Sequence, residues 1–398
     1  MKFNKWTIGL AAVGVVSLAS AAKAEEKASS SVMTSLASTT LSGYVDTSAQ
    51  WNLSNGNANN PPYKFGGEGK ADGFNLNVVQ LRIESLPGAE EWAAGYRVDL
   101  WAGPDANTLN TSSFGSGSGR DFAVRQAYVA LRTPVGNGLD WKVGVFDSII
   151  GYESVESPSN PNYTRSYGHS IEPQTHTGVL TSYRFCDAFS ASFGVADTIG
   201  PTINERAQTY GKAESQKTYM ASFAITAPDS LGFLSGSTLY AGVVNGFSSK
   251  NSPVGLETQT SWYVGSTLAT PVTGLRCGFA FDYLDRHEPG ETWAISGYSS
   301  YQATEKLSVH ARAEYLKDRG ASRFFALTDP NLFPAGTTEA EIFALTGTAQ
   351  YDLWKNVISR LEIRWDHSLK GNHIFGGNGA SGTDENAWLL AANIIYKF

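Results

Sequence analysis

From residue 39 onward the sequence is written almost entirely in period 2, in sixteen segments of about ten to fourteen residues. They fall near 39–53, 73–86, 91–103, 120–133, 139–149, 174–186, 188–200, 217–228, 236–247, 257–270, 274–286, 291–303, 306–319, 338–352, 357–367 and 385–398. Strict alternation of polar and apolar residues is the mark of a strand with one dry face and one wet face. The segment length is what a tilted strand needs to cross a bilayer. The connections carry a second rhythm: short ones such as "PGAE", "PVGNG", "CD", "PVTG", "TE" and "LWKN" take turns with long ones at 54–72, 104–119, 150–173, 201–216, 248–256, 320–337 and 368–384. Only 287–290 is a short connection in a long position.

Short turns on one side and long loops on the other are the plan of an antiparallel transmembrane β-barrel with periplasmic turns and extracellular loops. A secreted sandwich shares the period but has no reason to sort its loops by length. The last segment fits this reading. Read back from the terminus, alternate residues are Phe398, Tyr396, Ile394, Ala392, Leu390 and Trp388. An even strand number returns the chain to the periplasmic side, where this strand closes against the first. Tyr396 and Phe398 are then expected in the aromatic girdle and as the assembly signal read by the barrel-assembly machinery.

Composition supports the same class. Gly 41, Tyr 18, Phe 20 and Trp 10 stand against 17% charged residues, with a mean hydropathy of -0.22. Beyond the N-terminus there is no apolar run long enough for a helical span. At the N-terminus, Lys2 and Lys5 precede "WTIGLAAVGVVSLASAA", followed by "AKA", which predicts a signal peptide over 1–24 cleaved after Ala24. Its removal takes the formal charge from -7 to -10, a balance that offers nucleic acid no basic patch. Residues 25–38 read as a flexible periplasmic leader, so the domain plan is leader plus one barrel over 39–398. Cys186 and Cys277 lie on strands five positions apart and are expected to be free thiols.

The lipid-facing residues define the lumen as their complement. Arginine followed two residues later by an acid recurs in Arg82/Glu84, Arg97/Asp99, Arg312/Glu314, Arg360/Glu362 and Arg364/Asp366, and Arg276 and Asp282 face the same way. An arginine facing lipid at mid-membrane costs roughly 2–4 kcal/mol, so these twelve residues are expected to line the pore. As ion pairs that merely stiffen the wall, each would be worth only ~0–1 kcal/mol. Strands 6 to 10 offer a neutral arc instead: Ser182, Ser190, Ser192, Gly194, Ser222, Thr226, Gly242, Ser261 and Gly265, interrupted by Arg184 and Tyr263. The longest loop, 150–173, springs from the edge of that arc and is expected to fold inward as a constriction. It carries Glu153, Glu156 and Glu172 against Arg165. Acids on the loop opposite a balanced wall predict a weak cation preference.

The runs "RQAYVALRTPVGNGLDWKVGVFDSIIGYE" and "NPNYTRSYGHSIEPQTHTGVL", with "LSGYVDTS" and "EWAAGYRVDLWAGP" before them, resemble the putative β-barrel porin-2 (OmpL-like) family. The resemblance covers most of the mature chain and is densest over 91–200. It implies a pore-forming barrel in the outer membrane of a Gram-negative-type cell and transfers no catalytic or binding residue. "GYESVESPSNPNY" lacks the short acidic motif of the general diffusion porins.

The expected function is therefore a water-filled channel for passive diffusion of small hydrophilic solutes and ions. A sugar- or oligosaccharide-selective channel of the same fold is the alternative, ahead of a barrel hydrolase or an adhesive barrel. Asp285 and His287 at the rim are the nearest approach to a hydrolytic pair. His169 and His176 lack the carboxylate or thiolate company of a metal site. No cofactor and no metal is expected; the partners are outer-membrane lipid, the assembly machinery, the solutes and a second and third copy in a homotrimer.

Overall fold

The computed structural model describes residues 38–398 apart from 62, 64, 66–67, 89, 113–120, 209–214, 248–257, 287–289, 320–338, 372 and 380–381. The signal peptide, all of the leader but Ser38, and His287 lie outside the described residues.

Sixteen strands form the wall: β1 Thr40–Asn52, β2 Gly73–Ser85, β3 Ala93–Ala102, β4 Phe122–Thr133, β5 Leu139–Asp147, β6 Thr175–Cys186, β7 Phe189–Ala196, β8 Thr218–Thr226, β9 Thr238–Phe247, β10 Thr258–Ala269, β11 Leu275–Asp285, β12 Glu291–Gln302, β13 Leu307–Arg319, β14 Glu339–Trp354, β15 Val357–Ser368 and β16 Asn386–Lys397. Each pairs antiparallel with its neighbours in sequence, and β16 pairs with β1 to close the barrel. Closure satisfies the backbone of every strand without an edge, which hydrocarbon would not tolerate. All sixteen lie where the alternation places them, with ends shifted by a few residues. No described helix is long and apolar enough to cross a membrane.

The outer face carries the apolar half of each alternation. On β16, Trp388, Ile394 and Tyr396 are exposed on the outside while Leu389, Ala391, Asn393 and Ile395 are buried inside. Trp365 stacks on Trp388 at 5.8 Å, and Trp293 lies 5.2 Å from Tyr315, giving an aromatic belt along β12–β16. At the seam, Gly43 N donates to Phe398 O at 3.0 Å and Phe398 N donates back to Gly43 O at 3.1 Å. Cys186 and Cys277 are both free.

The inside differs from a plain polar tube. Leu284, Leu316, Ile342 and Leu389 point inward and are fully buried. Three long connections reach back into the barrel and cover them. Tyr167 and Ile171 of the 148–174 loop, with Ile374 and Phe375 of the 369–385 loop, pack on Leu284, Leu316 and Ile342. Tyr63 of the 53–72 loop joins Tyr163 over Leu389. Apolar side chains on the wet face of a strand are thus explained by loops that dry them.

Candidate functional site: a loop held inside the barrel

The loop between β5 and β6 descends inside the wall rather than standing above it. Burial runs almost unbroken from Asn160 to Glu172, through a short helix Tyr167–Ile171 capped by Ser166, whose hydroxyl accepts from His169 N at 3.0 Å. Arg165 holds the loop's own fold: its guanidinium donates to the carbonyls of Ser154, Tyr163 and Val155 at 3.0–3.1 Å.

One side of the loop docks on β13–β15. Arg312 Nη1 donates to Glu153 Oε1 and to the Thr164 carbonyl at 2.9 and 2.8 Å, and its Nε reaches Glu314 at 2.7 Å. The side chains of Arg312 and Glu153 are 0% and 1% exposed. Arg364 pairs with Asp366 at 2.8 Å, donates to the Arg165 carbonyl at 2.7 Å, and lies between the rings of Tyr63 and Tyr167. Glu362 accepts from Tyr163 N and from the Thr164 and Thr348 hydroxyls at 2.6 Å, and from Thr164 N at 2.8 Å. Arg360 donates to the carbonyls of Ser157 and Asn160. Every one of these groups is dry and satisfied, as buried polar groups must be.

The opposite flank binds Glu156. Its Oε1 pairs with Arg82 and lies 3.2 Å from both Arg97 and Arg125. Asp99 sits beneath, accepting from Arg82 at 2.9 Å, Arg97 at 2.7 Å, Arg125 at 2.9 Å and Gln126 at 3.1 Å. A register shift opposite Asp99 turns both Arg125 and Gln126 inward, where strict alternation allows only one. Arg125 also holds Asp147 at 2.6 Å.

The loop's third face is apolar. Ile149 and Ile150 pack with Phe146, Leu180, Met220, Val244 and Tyr263, and Tyr152 stacks on Tyr298 at 4.0 Å. The small residues of the wall make room for it. A Cβ at Gly242 would lie 2.6 Å from Ile150 Cγ2, and one at Gly278 would collide with the Tyr152 hydroxyl. Gly278→Val should therefore push Tyr152 out of its slot at a cost of about 1–3 kcal/mol. The heat-modifiable band on a detergent gel should convert at lower temperature, and an unchanged transition would show that the loop does not lean on that wall.

Of the sequence-derived pairs, three are made as read: Arg97–Asp99, Arg312–Glu314 and Arg364–Asp366. Two are corrected. Arg82 bonds across the ladder to Asp99, leaving Glu84 4.0 Å from Arg97, while Arg360 and Glu362 each bond to the loop instead of to each other. Arg276 and Asp282 face inward but stand six residues apart along β11. Asp282 is buried beside Gly168 of the loop, and Arg276 has no ion pair among the described residues. Nor do the twelve residues line open water alike. Those on β13–β15 are sealed beneath the loop, whereas Arg82, Arg97 and Glu84 keep about a fifth of their side-chain surface. Of the acids of the loop, Glu153 is engaged by Arg312 and Glu156 by three arginines, while Glu172 lies 3.7 Å from His169, which carries a charge only when protonated.

Lys70 and Asp105 form a buried pair joining two extracellular loops. Burial pushes the Asp105 carboxyl up to about 7, against the pull of the Lys70 ammonium.

A closed sixteen-stranded wall, an aromatic belt outside and a loop latched inside by arginines are together the architecture of an outer-membrane porin. Residues 38–398 match the family described as putative beta-barrel porin-2, OmpL-like, and the chain belongs to that family. Its function is that of an outer-membrane porin channel. Among solved structures, an anion-selective porin from Comamonas acidovorans is similar at 13% identity, over 91% of this chain and 99% of that one, with a TM-score of 0.58. In-vitro folded OmpT of Vibrio cholerae in its trimer form gives 13%, 90%, 99% and 0.58, and Salmonella typhi OmpF in complex with daunomycin gives 12%, 90%, 97% and 0.59. At these identities the likeness is one of fold. No curated protein matches.

Proposed function

We propose that solutes pass the barrel along the flank the loop leaves partly open. There the inward side chains of Arg82, Arg97, Tyr128, Lys142, Tyr152, Tyr240 and Arg276 keep some exposure, beside the serines of β6–β8. The carrying observation is the Arg312–Glu153 pair: it ties the 148–174 loop to the far wall, which supports a loop that narrows the lumen and a passage past the side chains that stay partly exposed. Diffusion is passive, and family and fold are those of a non-enzymatic channel. In this reading Glu153, Glu156, Arg165 and Glu172 act as the constriction's frame, with Arg312, Arg360 and Arg364 as its wall anchors.

The protein sits in the outer membrane. We place its export under the 1–24 signal with cleavage after Ala24. Its insertion is assigned to the assembly machinery acting on Tyr396 and Phe398, and its working form to a homotrimer, the form named for the Vibrio cholerae relative. The deciding experiment is single-channel conductance of the refolded protein in a planar bilayer. Steps that scale with salt concentration are expected; a barrel that inserts without conducting would favour an adhesive or plugged role.

A further inference from the structure

Around the lumen nearly every inward base has a carboxylate. Arg82, Arg97 and Arg125 share Asp99 and Glu156; Arg132 holds Asp140 at 2.9 Å; Arg312 and Arg364 hold Glu314 and Asp366. Arg165 and Arg360 are buried on carbonyls. Two partly exposed bases stand apart. Lys142 on β5 and Arg276 on β11 have no carboxylate within salt-bridge distance among the described residues.

Both point into the barrel. Val143 next to Lys142 is on the exposed outer face, and the Lys142 ammonium lies 5.1 Å over the ring of inward Tyr128. Arg276 shares its face with Gly278, against which the Tyr152 hydroxyl rests. Each lies within four residues of a short periplasmic turn, so both stand on the periplasmic side of the loop. They flank the neutral arc β6–β10. Across that arc run hydroxyls: Ser182 bonded to Ser192 at 2.8 Å, Ser190, Ser222, and Thr226 with Thr238 at 3.4 Å, with Tyr240 beside them. The acids nearest Lys142 along its own strand, Asp140 and Asp147, are held by Arg132 and Arg125, and Glu153 of the loop is held by Arg312.

We infer that this periplasmic-side face, with Lys142 and Arg276 flanking a hydroxyl-lined arc and three half-buried tyrosines, is a selectivity site for hydroxylated organic anions such as sugar acids. An ammonium and a guanidinium without counter-charges attract anions, and neighbouring paired charges cancel beyond about a Debye length, ~8 Å. Serine hydroxyls and tyrosine faces give a polyol its hydrogen bonds and its apolar contact. The inference rests on the porin reading and sharpens it.

The test uses the full-length refolded protein in planar bilayers, with reversal potentials under a KCl gradient and current block by gluconate, glucose being the uncharged control. The parent should favour chloride and be blocked by gluconate but not by glucose. Lys142→Gln/Arg276→Gln should insert as an open channel, lose the chloride preference, and need roughly tenfold more gluconate for half block, the scale of one charge-assisted hydrogen bond. Lys142→Arg/Arg276→Lys keeps both charges and should retain both properties, which separates charge from any packing effect. A conducting parent with no chloride preference, an unchanged Gln variant, or equal block by glucose overturns the anion site and leaves the porin standing. A parent that inserts without conducting overturns both.

Discussion

Arg312→Ala is expected to release the loop from the wall and to raise single-channel conductance, with bursts of open-channel noise. The substitution leaves Glu153 without its counter-charge in a dry site and removes a donor from Glu314 and from the Thr164 carbonyl. Breaking one partner out of a buried pair costs about 3–5 kcal/mol, because the remaining charge is left uncompensated. The barrel does not share that cost, since its ladder is complete without the loop. Energy is therefore recovered by undocking 150–173 rather than by unfolding. Two measurements follow the release: protease cleavage within the loop and the size distribution of conductance steps. Combining Arg312→Ala with Glu153→Gln should cost less than the sum of the two, since the pair is lost only once. Parent-like steps and a protease-resistant loop would show that Arg312 is a bystander and that the loop is held by its apolar face alone.

That latch marks the limit of what the sequence discloses. The wall is legible because a lipid-facing strand must present an apolar residue at every second position, and sixteen such strands leave a periodic trace. The terminal strand is legible for the same reason. Charge positions are legible as to side, since Arg312, Arg360 and Arg364 do face inward. Their partners are not, because pairing along one strand competes with pairing across the ladder and to the loop. Arg82 opposes Asp99 by register, and register is fixed by the turn between β2 and β3, not by the spacing of charges. Arg125 escapes altogether, because the shift at Asp99 takes it out of phase with the alternation in "FAVRQAYVALRT". The run "VRQ" offers a signal only in retrospect, as two long polar residues side by side where one is expected. Lys142 is in phase but has no acid two residues on, and so falls outside the arginine–acid pattern. Leu284, Leu316 and Ile342 face the wet side of their strands for a reason carried by other segments, the loops that cover them.

Phe398→Asp is expected to yield a chain that is made and exported but does not reach a heat-resistant, folded state in the outer membrane. Phe398 closes the seam in two ways. Its backbone exchanges a pair of hydrogen bonds with Gly43, at 3.0 and 3.1 Å, the last rung where β16 meets β1. Its ring lies against Gly43, where an added Cβ would come within 2.7 Å of it, while about half of the side chain faces outward next to Tyr396. An aspartate keeps the backbone rung but sets a charge at the lipid boundary and removes the ring that covers Gly43. Near an interface the folded state loses only about 0–1 kcal/mol for such a charge. The larger consequence falls on assembly, since an unclosed seam exposes backbone groups to hydrocarbon at several kcal/mol each. The contrast between a small equilibrium cost and a large assembly defect is the measurable point. Purified Phe398→Asp refolded in detergent should form a barrel with nearly the parent's unfolding temperature, while its level in outer-membrane fractions should fall steeply. Normal amounts in the membrane would show that the terminal aromatic is not read during insertion. A sharp loss of stability in detergent would instead assign the defect to the seam itself.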